Sequence, residues 1–399
     1  MIQARKGEGS ADVRSGLMAR WRAANMSGLI IQFGTSRFLQ AHVDLFIHEA
    51  RQAGQMAGPI TVVQTSGAAD RAGRVAAFGQ PYDVIIRGIQ DGRPVDYTIT
   101  VTSIDRGLST GRDWDLLKAI VAEQAEFVVS NTGDNGYDVV EANRSPALLG
   151  GGVPASFPAK LAALLWQRWR GTGRELTVLP CELVPRNGRV LRDLVLGLAR
   201  DAAAPADFTD WLGSRVIWAD TLVDRIVSQP LDPIGAVAEP YALWAIERRP
   251  GPTVPCEHPA IVLTDDLEPF ERLKLHILNL GHTVLADLWQ QQQRAADETV
   301  RSLLDDDSVR RWLEDVYRRE VVPGFARRGM RSEAEAYVAT TLDRFRNPFL
   351  DHRVADIAQN HTTKVARRIA GFRNWVTEGS RDVPAMPVLE AVIARNAPP

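Results

Sequence analysis

The sequence predicts an α/β chain in two parts, with strands and helices alternating over residues 1–255 and a mainly α-helical region over residues 256–399. Three observations predict it. The apolar run LIIQFG at 29–34 ends in glycine and leads through a helical period into a second apolar run, ITVVQTS at 60–66. Strand and helix signals then keep alternating to about residue 200, as expected when helices cover a parallel sheet. Beyond His258 the texture changes to helical periods rich in arginine, with almost no strand signal. Strand, glycine turn, helix and strand form the first half of a Rossmann-like dinucleotide-binding unit.

Taken in order, the helix after the first strand spans TSRFLQAHVDLFIHEARQAG, with Phe38, Leu39, Val43, Phe46 and Ile47 at helical spacing and a stop at Gly54. A dinucleotide would meet the chain at Phe33, Gly34, Thr35, Ser36, Arg37 and Phe38, where the helix starts. The G-x-G-x-x-G fingerprint is not met, because Ser36 and Leu39 stand at its second and third glycine positions. The second strand ends in Gln64, Thr65, Ser66 and Gly67 instead of an acid for the adenosine ribose, and Arg71 and Arg74 follow. NAD is the expected cofactor, and the arginines keep NADP open. Strands are expected at 82–88, 95–104 and 126–131, with a helix near 113–123. Asn131 and Thr132 then stand where a strand end can face a nicotinamide. The helix AKLAALLWQRWRG, the strand ELTVLPCEL and the helix RVLRDLVLGLAR complete the alternation.

Composition excludes several classes of function. With 399 residues, 45% hydrophobic and 24% charged, the chain can bury a large core. A net charge of -2 leaves no basic field for a nucleic-acid backbone or an anionic membrane, so a small-molecule partner is expected. The 2 cysteines, Cys181 and Cys256, form no disulfide framework, and the 7 histidines offer no H-x-x-x-H pair for zinc. The opening MIQARKGEGSADVRSGLMARW lacks the apolar core of a secretory signal, and no apolar run of about 18 residues occurs. A cytoplasmic protein without a metal is expected.

The chemistry concentrates in ERLKLHILNLGH, residues 271–282. On an ideal helix, at roughly 100° per residue from Lys274, Glu271 lies near 60°, His282 near 80° and Asn279 near 140°. The rise of about 1.5 Å per residue separates Lys274 from His282 by about 12 Å along the axis, so a bend at Gly281 would help both reach one carbon. A lysine can take a proton from an alcohol, while asparagine and histidine donate hydrogen bonds to an oxygen that gains charge. Spacing alone leaves the solvated face of an ordinary amphipathic helix equally open. His276, near 200°, points away and is expected to be structural.

Six segments carry a resemblance to a known family: QFGTSRFLQAHVD at 32–44, LPCELVPRNG at 179–188, TLVDRIV at 221–227, AEPYALWAIE at 238–247, KLHILNLGH at 274–282 and RFRNP at 344–348. In that order the chain resembles the mannitol dehydrogenase family of polyol-specific long-chain dehydrogenases, whose hexuronate reductases interconvert tagaturonate or fructuronate with the matching aldonates. The resemblance implies Lys274 as acid and base, Asn279 and His282 as hydrogen-bond donors to the reacting oxygen, and Glu271 as the group that passes the proton to solvent. It further implies Asp224, Arg344, Asn347 and Lys364 as substrate contacts, an NAD cofactor and a monomer or weak homo-oligomer.

Departures from the family pattern narrow the substrate. Leu183 stands where mannitol dehydrogenases carry a second asparagine, and PCEL, VVQTS and TLVDRIV look more like the hexuronate reductase branch. A sugar-acid carboxylate would need a cation, for which Arg344, Lys364 and Arg186 are the candidates. Gln40 stands where many relatives have arginine. Mannitol 2-dehydrogenase and mannitol-1-phosphate 5-dehydrogenase activities are alternatives, as are a nucleotide-sensing protein without turnover and an NAD-dependent epimerase.

Overall fold

A computed structural model describes residues 28–66, 72–133, 135–379 and 384–397; the opening segment read above and Arg71 lie outside them. The first strands are β1 (Ile30–Phe33) and β2 (Ile60–Gln64). A hairpin of β3 (Tyr82–Gln90) and β4 (Arg93–Val101) follows, then β5 (Ile104–Ser109), β6 (Phe127–Ser130), β7 (Leu176–Pro180) and β8 (Val216–Trp218). Apart from the hairpin, these strands form one parallel sheet of 6 strands in the order β5-β2-β1-β6-β7-β8. Counted within the sheet this is 3-2-1-4-5-6, the doubly wound order whose direction reverses between β1 and β6.

The runs IIQF, ITVVQ, FVVS and LTVLP are buried at every position because helices cover both faces of the sheet. Helices Thr110–Glu123, Phe157–Arg170 and Asn187–Asp201 pack on one face, around Ile31, Val63, Val128 and Val178. Helix Val43–Gln52 packs on the other, around Ile30, Val62, Val129 and Leu179.

Two smaller sheets lie against that second face. β9 (Thr221–Asp224), β10 (Val227–Pro230), β11 (Ala236–Ala238), β12 (Leu243–Glu247) and β13 (Ile261–Thr264) complete the strands. One sheet runs β10-β11-β3-β4 and the other β13-β12-β9. β13 lies in the region expected to be helical, and its parallel pairing with β12 carries the first part's sheets past residue 255 to Thr264. Four residues of IVLT are too short to signal a strand until a partner is known.

Two further expectations are corrected. The expected strand at 95–104 is really β4 and β5, because Thr102 donates its amide to His48 Nδ1 and Ser103 its hydroxyl to the Asp44 carbonyl, which turns the chain from the hairpin into the parallel sheet. The first helix breaks into Arg37–Gln40 and Val43–Gln52 at His42, whose backbone sits at φ -131, ψ -95. The His42 ring stacks between Phe38 and Phe46 and meets the Leu243 carbonyl at 3.0 Å.

The C-terminal part is helical around a core of its own that includes Ile277, Val284, Leu313, Phe325 and Phe372. Its first long helical run is Glu268–Leu273, a π-turn over Lys274–Leu278, and Asn279–Gln291.

A candidate active site where two cavities share a wall

The turn after β1 leaves room for a ligand by excluding side chains. Gly34 adopts φ +116, and a Cβ there would collide with the Asn131 carbonyl at the end of β6. The Ser36 hydroxyl accepts the Leu39 amide and starts the next helical turn. At these strand ends lies a cavity of about 320 Å³ lined by Gly34, Thr35, Ser36, Gln64, Thr65, Ser66, Arg74 and Asn131–Gly133. Its place at the sheet's reversal point, its bare backbone turn and its polar lining fit a dinucleotide.

A second cavity of about 540 Å³ adjoins it and shares Asn131 and Gly133. Its other walls are Phe38, Cys181–Val184, Val223, Arg225 and Lys274. The Asn131 amide donates to the Cys181 carbonyl at 2.9 Å, tying the end of β6 to the end of β7. Beneath the shared wall, buried Glu182 accepts from Ser130 Oγ, Thr132 N, Thr132 Oγ1 and Tyr137 OH.

The π-turn decides where Lys274 points. A π-bulge fits one extra residue into a turn, which sets every later side chain back by about 100°. Asn279 then moves from about 140° to about 40° from Lys274, and His282 from about 80° to about -20°, so the bulge draws the motif into a narrower sector. The Tyr317 hydroxyl supports the bulge by donating to the Ile277 carbonyl at 3.0 Å. Gly281 is required because a Cβ would collide with that hydroxyl; its role is close approach to Tyr317, not the bend expected from the sequence.

Lys274 Nζ donates to the Val223 carbonyl at 2.9 Å and lies 3.4 Å from Asp224 Oδ1. Asp224 in turn meets both amino groups of Arg344, at 2.9 and 3.2 Å, and accepts from the Tyr337 hydroxyl at 2.9 Å. Arg344 also grips Glu239, at 3.0 and 2.8 Å. Burial favours the neutral acid at Asp224, but Lys274 and then Arg344 outweigh it and hold its carboxyl down at about 2. Two carboxylates and two cations thus form one charge-balanced cluster where the helical part meets β9 and β11.

The expected site residues divide. Thr35, Ser36, Gln64, Thr132 and Gly34 line the smaller cavity, Phe38 and Lys274 the larger, and Asn131 both. Phe33 is fully buried and packs on Phe157, so only its backbone belongs to the turn. The expected cofactor contact at Arg37 gives way to a tie within the sheet-bearing part: its guanidinium reaches Gln40, the Gly235 carbonyl and Asp232, joining the first helical turn to the β10–β11 connection. Gln40 is a buried spacer that accepts the Gly235 amide at 2.6 Å.

Arg344 has its donors on Asp224 and Glu239, which takes it out of the role of carboxylate partner and makes it an ion-pair clasp. Asn347 bridges the Arg87 carbonyl and the Phe349 amide instead of a substrate. Lys364 donates to the Ile357 carbonyl at 2.7 Å, and its charge acts on His282. His282 is buried, stacked on Phe345 and edge-on to His352; burial first, then the charges of His352 and Arg344, hold its pKa well below 6.5, so the ring is neutral. Asn279 is half-buried, with Arg368 on its carbonyl. Glu271 is exposed and shares its field with Arg272, Glu268, Asp220 and exposed Arg186. Leu183 stands 79% exposed at the rim. His276 is buried between Arg272 and the Arg368 carbonyl, a structural placement. Sequence reasoning missed Glu182, Glu239 and Tyr337; the first two sit inside PCEL and AEPYALWAIE, where only the buried partners reveal them.

Among the described residues no group of histidine, cysteine, aspartate or glutamate could hold a metal ion, and no helix is long and apolar enough to cross a membrane. Comparison with known proteins agrees with this geometry. An altronate oxidoreductase of Halalkalibacterium halodurans is 31% identical over 389 residues, covering 92% of this chain and 74% of the relative. One of Bacillus subtilis is 29% identical over 364 residues, covering 85% and 73%. A substrate-free D-sorbitol dehydrogenase shares the fold at a TM-score of 0.74 and 18% identity, over 90% of this chain and 80% of that one. The Pseudomonas fluorescens mannitol 2-dehydrogenase, solved with NAD and D-mannitol, does so at 0.68 and 19%, over 94% and 85%. Residues 29–255 match the mannitol dehydrogenase Rossmann domain and residues 266–380 the mannitol dehydrogenase C-terminal domain, so the chain belongs to the mannitol dehydrogenase family.

Proposed function

We propose that the chain is an NAD-dependent oxidoreductase of the hexuronate reductase type, interconverting a keto-uronate and the matching aldonate, with Lys274 as the proton-transfer residue. One observation carries this reading: Lys274 lines a cavity that shares a wall with the polar cavity at the reversal point of the parallel sheet. The relatives named altronate oxidoreductase support a sugar acid as substrate, and Leu183 supports it by replacing a family asparagine.

The nicotinamide supplies or accepts the hydride. In oxidation Lys274 takes the proton of the secondary hydroxyl; in reduction it returns one to the carbonyl oxygen. Asn279 and the neutral His282 donate hydrogen bonds to that oxygen as its charge grows. Asp224 fixes the Lys274 ammonium and meets substrate hydroxyls. With Arg344 engaged, Lys364, next to His282, and exposed Arg186 are the candidate cations left to meet the substrate carboxylate. Glu271 exchanges the proton with water at the helix surface. We take the enzyme to be cytoplasmic, as a monomer or weak homo-oligomer.

The test is a spectrophotometric screen of D-altronate, D-mannonate and D-mannitol with NAD and with NADP, following the reduced nicotinamide. An aldonate should exceed mannitol by about 100-fold in kcat/KM, since a site built for a charged group rejects substrates that lack it. Equal turnover of mannitol would overturn the sugar-acid assignment. Lys274→Ala should lower kcat by about 10³-fold, in the range of a lost acid–base group, with NADH affinity within about threefold; near-normal turnover would overturn the mechanism.

A further inference from the structure

We infer that Glu182 is a positioning residue for the nicotinamide end of the cofactor, acting through the wall that the two cavities share. The inference rests on the function proposed above. Glu182 follows β7, and its carboxyl lies beneath the end of β6, 5% exposed. Three donors converge on it, Ser130 Oγ at 2.9 Å on Oε2, and Thr132 N at 3.0 Å and Thr132 Oγ1 at 2.9 Å on Oε1, while Tyr137 OH, 3.3 Å from Oε2, shares its one proton with the Asn187 carbonyl at 3.1 Å. The carboxyl oxygens accept these bonds, and the Tyr137 oxygen can in turn accept from a donor placed at Oε2. Burial pushes the Glu182 pKa up, and the hydrogen bonds from Ser130 and Thr132 pull against it.

Through these bonds Glu182 fixes Ser130 and Thr132 on either side of Asn131. Asn131 lines both cavities, and its backbone carbonyl packs on Gly34 so closely that a Cβ could not fit. The backbone of the glycine turn, the wall between cavities and the end of β7 therefore move as one body. Ser66 and Arg74 line the smaller cavity beyond the end of β2, on the far side of β1 from Glu182 and its donors. Loosening the wall should thus disturb the nicotinamide end and spare the adenosine end.

Two variants and two ligands test this. In Glu182→Gln, the amide oxygen still accepts from Thr132, while the amide nitrogen can donate to Tyr137, whose hydroxyl already donates to the Asn187 carbonyl at 3.1 Å. Binding of NADH and of ADP-ribose, without sugar substrate, is measured by quenching of tryptophan fluorescence. Glu182→Ala should weaken NADH about tenfold and ADP-ribose less than about twofold, since the lost bonds lie under one end of the site. Glu182→Gln should restore NADH to within about threefold of the wild type. Equal weakening of both ligands in Glu182→Ala points to general loosening and overturns the inference, as does unchanged NADH affinity. If the wild type binds neither ligand, the proposed function itself falls, and the inference with it.

Discussion

Lys274 and Asp224 face each other where the helical part meets the sheets, with Nζ 3.4 Å from Oδ1, and Asp224 is held from its other side by Arg344. The lysine is thus not left to its flexible stem. A carboxylate that is itself pinned by a buried guanidinium restricts the ammonium to one part of the cavity, and the Val223 carbonyl narrows it further. Asp224 and Glu239 belong to the sheet-bearing part, Arg344 and Lys274 to the helical part, so domain docking and placement of the Lys274 ammonium are one event.

Asp224→Asn should separate that cluster from its function. The change leaves Arg344 with Glu239 as its remaining charged partner and removes the carboxylate from Lys274. Breaking a buried ion pair costs about 3 kcal/mol, and loss of the lysine's orientation should lower kcat/KM by about 10²-fold. Glu239→Gln weakens the same clasp without touching Lys274, so it should lose comparable stability with a much smaller loss of turnover. Urea unfolding beside steady-state kinetics checks both variants; equal kinetic damage in the two would show that Asp224 has no separate role in orienting Lys274.

The π-turn gives a prediction that an ideal helix would not. Gly281→Ala places a methyl group against the Tyr317 hydroxyl, and overpacking of this kind destabilises by about 1–3 kcal/mol. Tyr317→Phe alone strips the Ile277 carbonyl of its hydrogen bond, for about 1 kcal/mol. In the double variant the hydroxyl and the worst of the clash disappear together, leaving Tyr317 Cζ and Phe345 Cε2 at 3.0 Å, so stability and activity should recover part of what Gly281→Ala loses. If the effects of the two changes simply add, Gly281 is needed for something other than the approach of Tyr317.

Much of the site was legible in the sequence because its chemistry is local. LIIQFG, the lysine motif and the strand end at Asn131 each occupy a few consecutive residues, and their periodicity survives folding. The parts that were not legible depend on distant partners. Nothing in KLHILN signals a π-turn, since the hydroxyl that supports it comes from Tyr317, 40 residues away. RFRNP supplies an arginine but not its two carboxylates, which lie 105 and 120 residues earlier, so a clasp reads as a substrate contact. β5 was lost because IDRGLS is half polar, and it becomes a strand only beside β2.

The dependence of stability on pH should carry the mark of one buried acid. Asp44, under β1, accepts hydrogen bonds from Gln32 and Tyr82, yet burial pushes its pKa up to about 8. In the unfolded chain it would ionise near 3.9. Between these values the folded state keeps a proton that the unfolded state has released, so stability is lost as pH rises through that window and levels off above about 8. Burial acts oppositely on His42, lowered to about 3, and His276, lowered to about 4. Both must take up a proton on unfolding below about 6.5, so stability also falls as the pH drops from there. The melting temperature should therefore peak near pH 6.5. Asp44→Asn removes the ionisation while keeping an acceptor for Gln32 and Tyr82, and should abolish the Asp44 decline between pH 6.5 and 8, worth about 1–2 kcal/mol over that interval, while steepening the acid limb, where Asp44 no longer offsets part of what the two histidines lose. Scanning fluorimetry of both proteins from pH 4.5 to 8 measures this; parallel alkaline limbs would show that Asp44 is ionised in the folded protein.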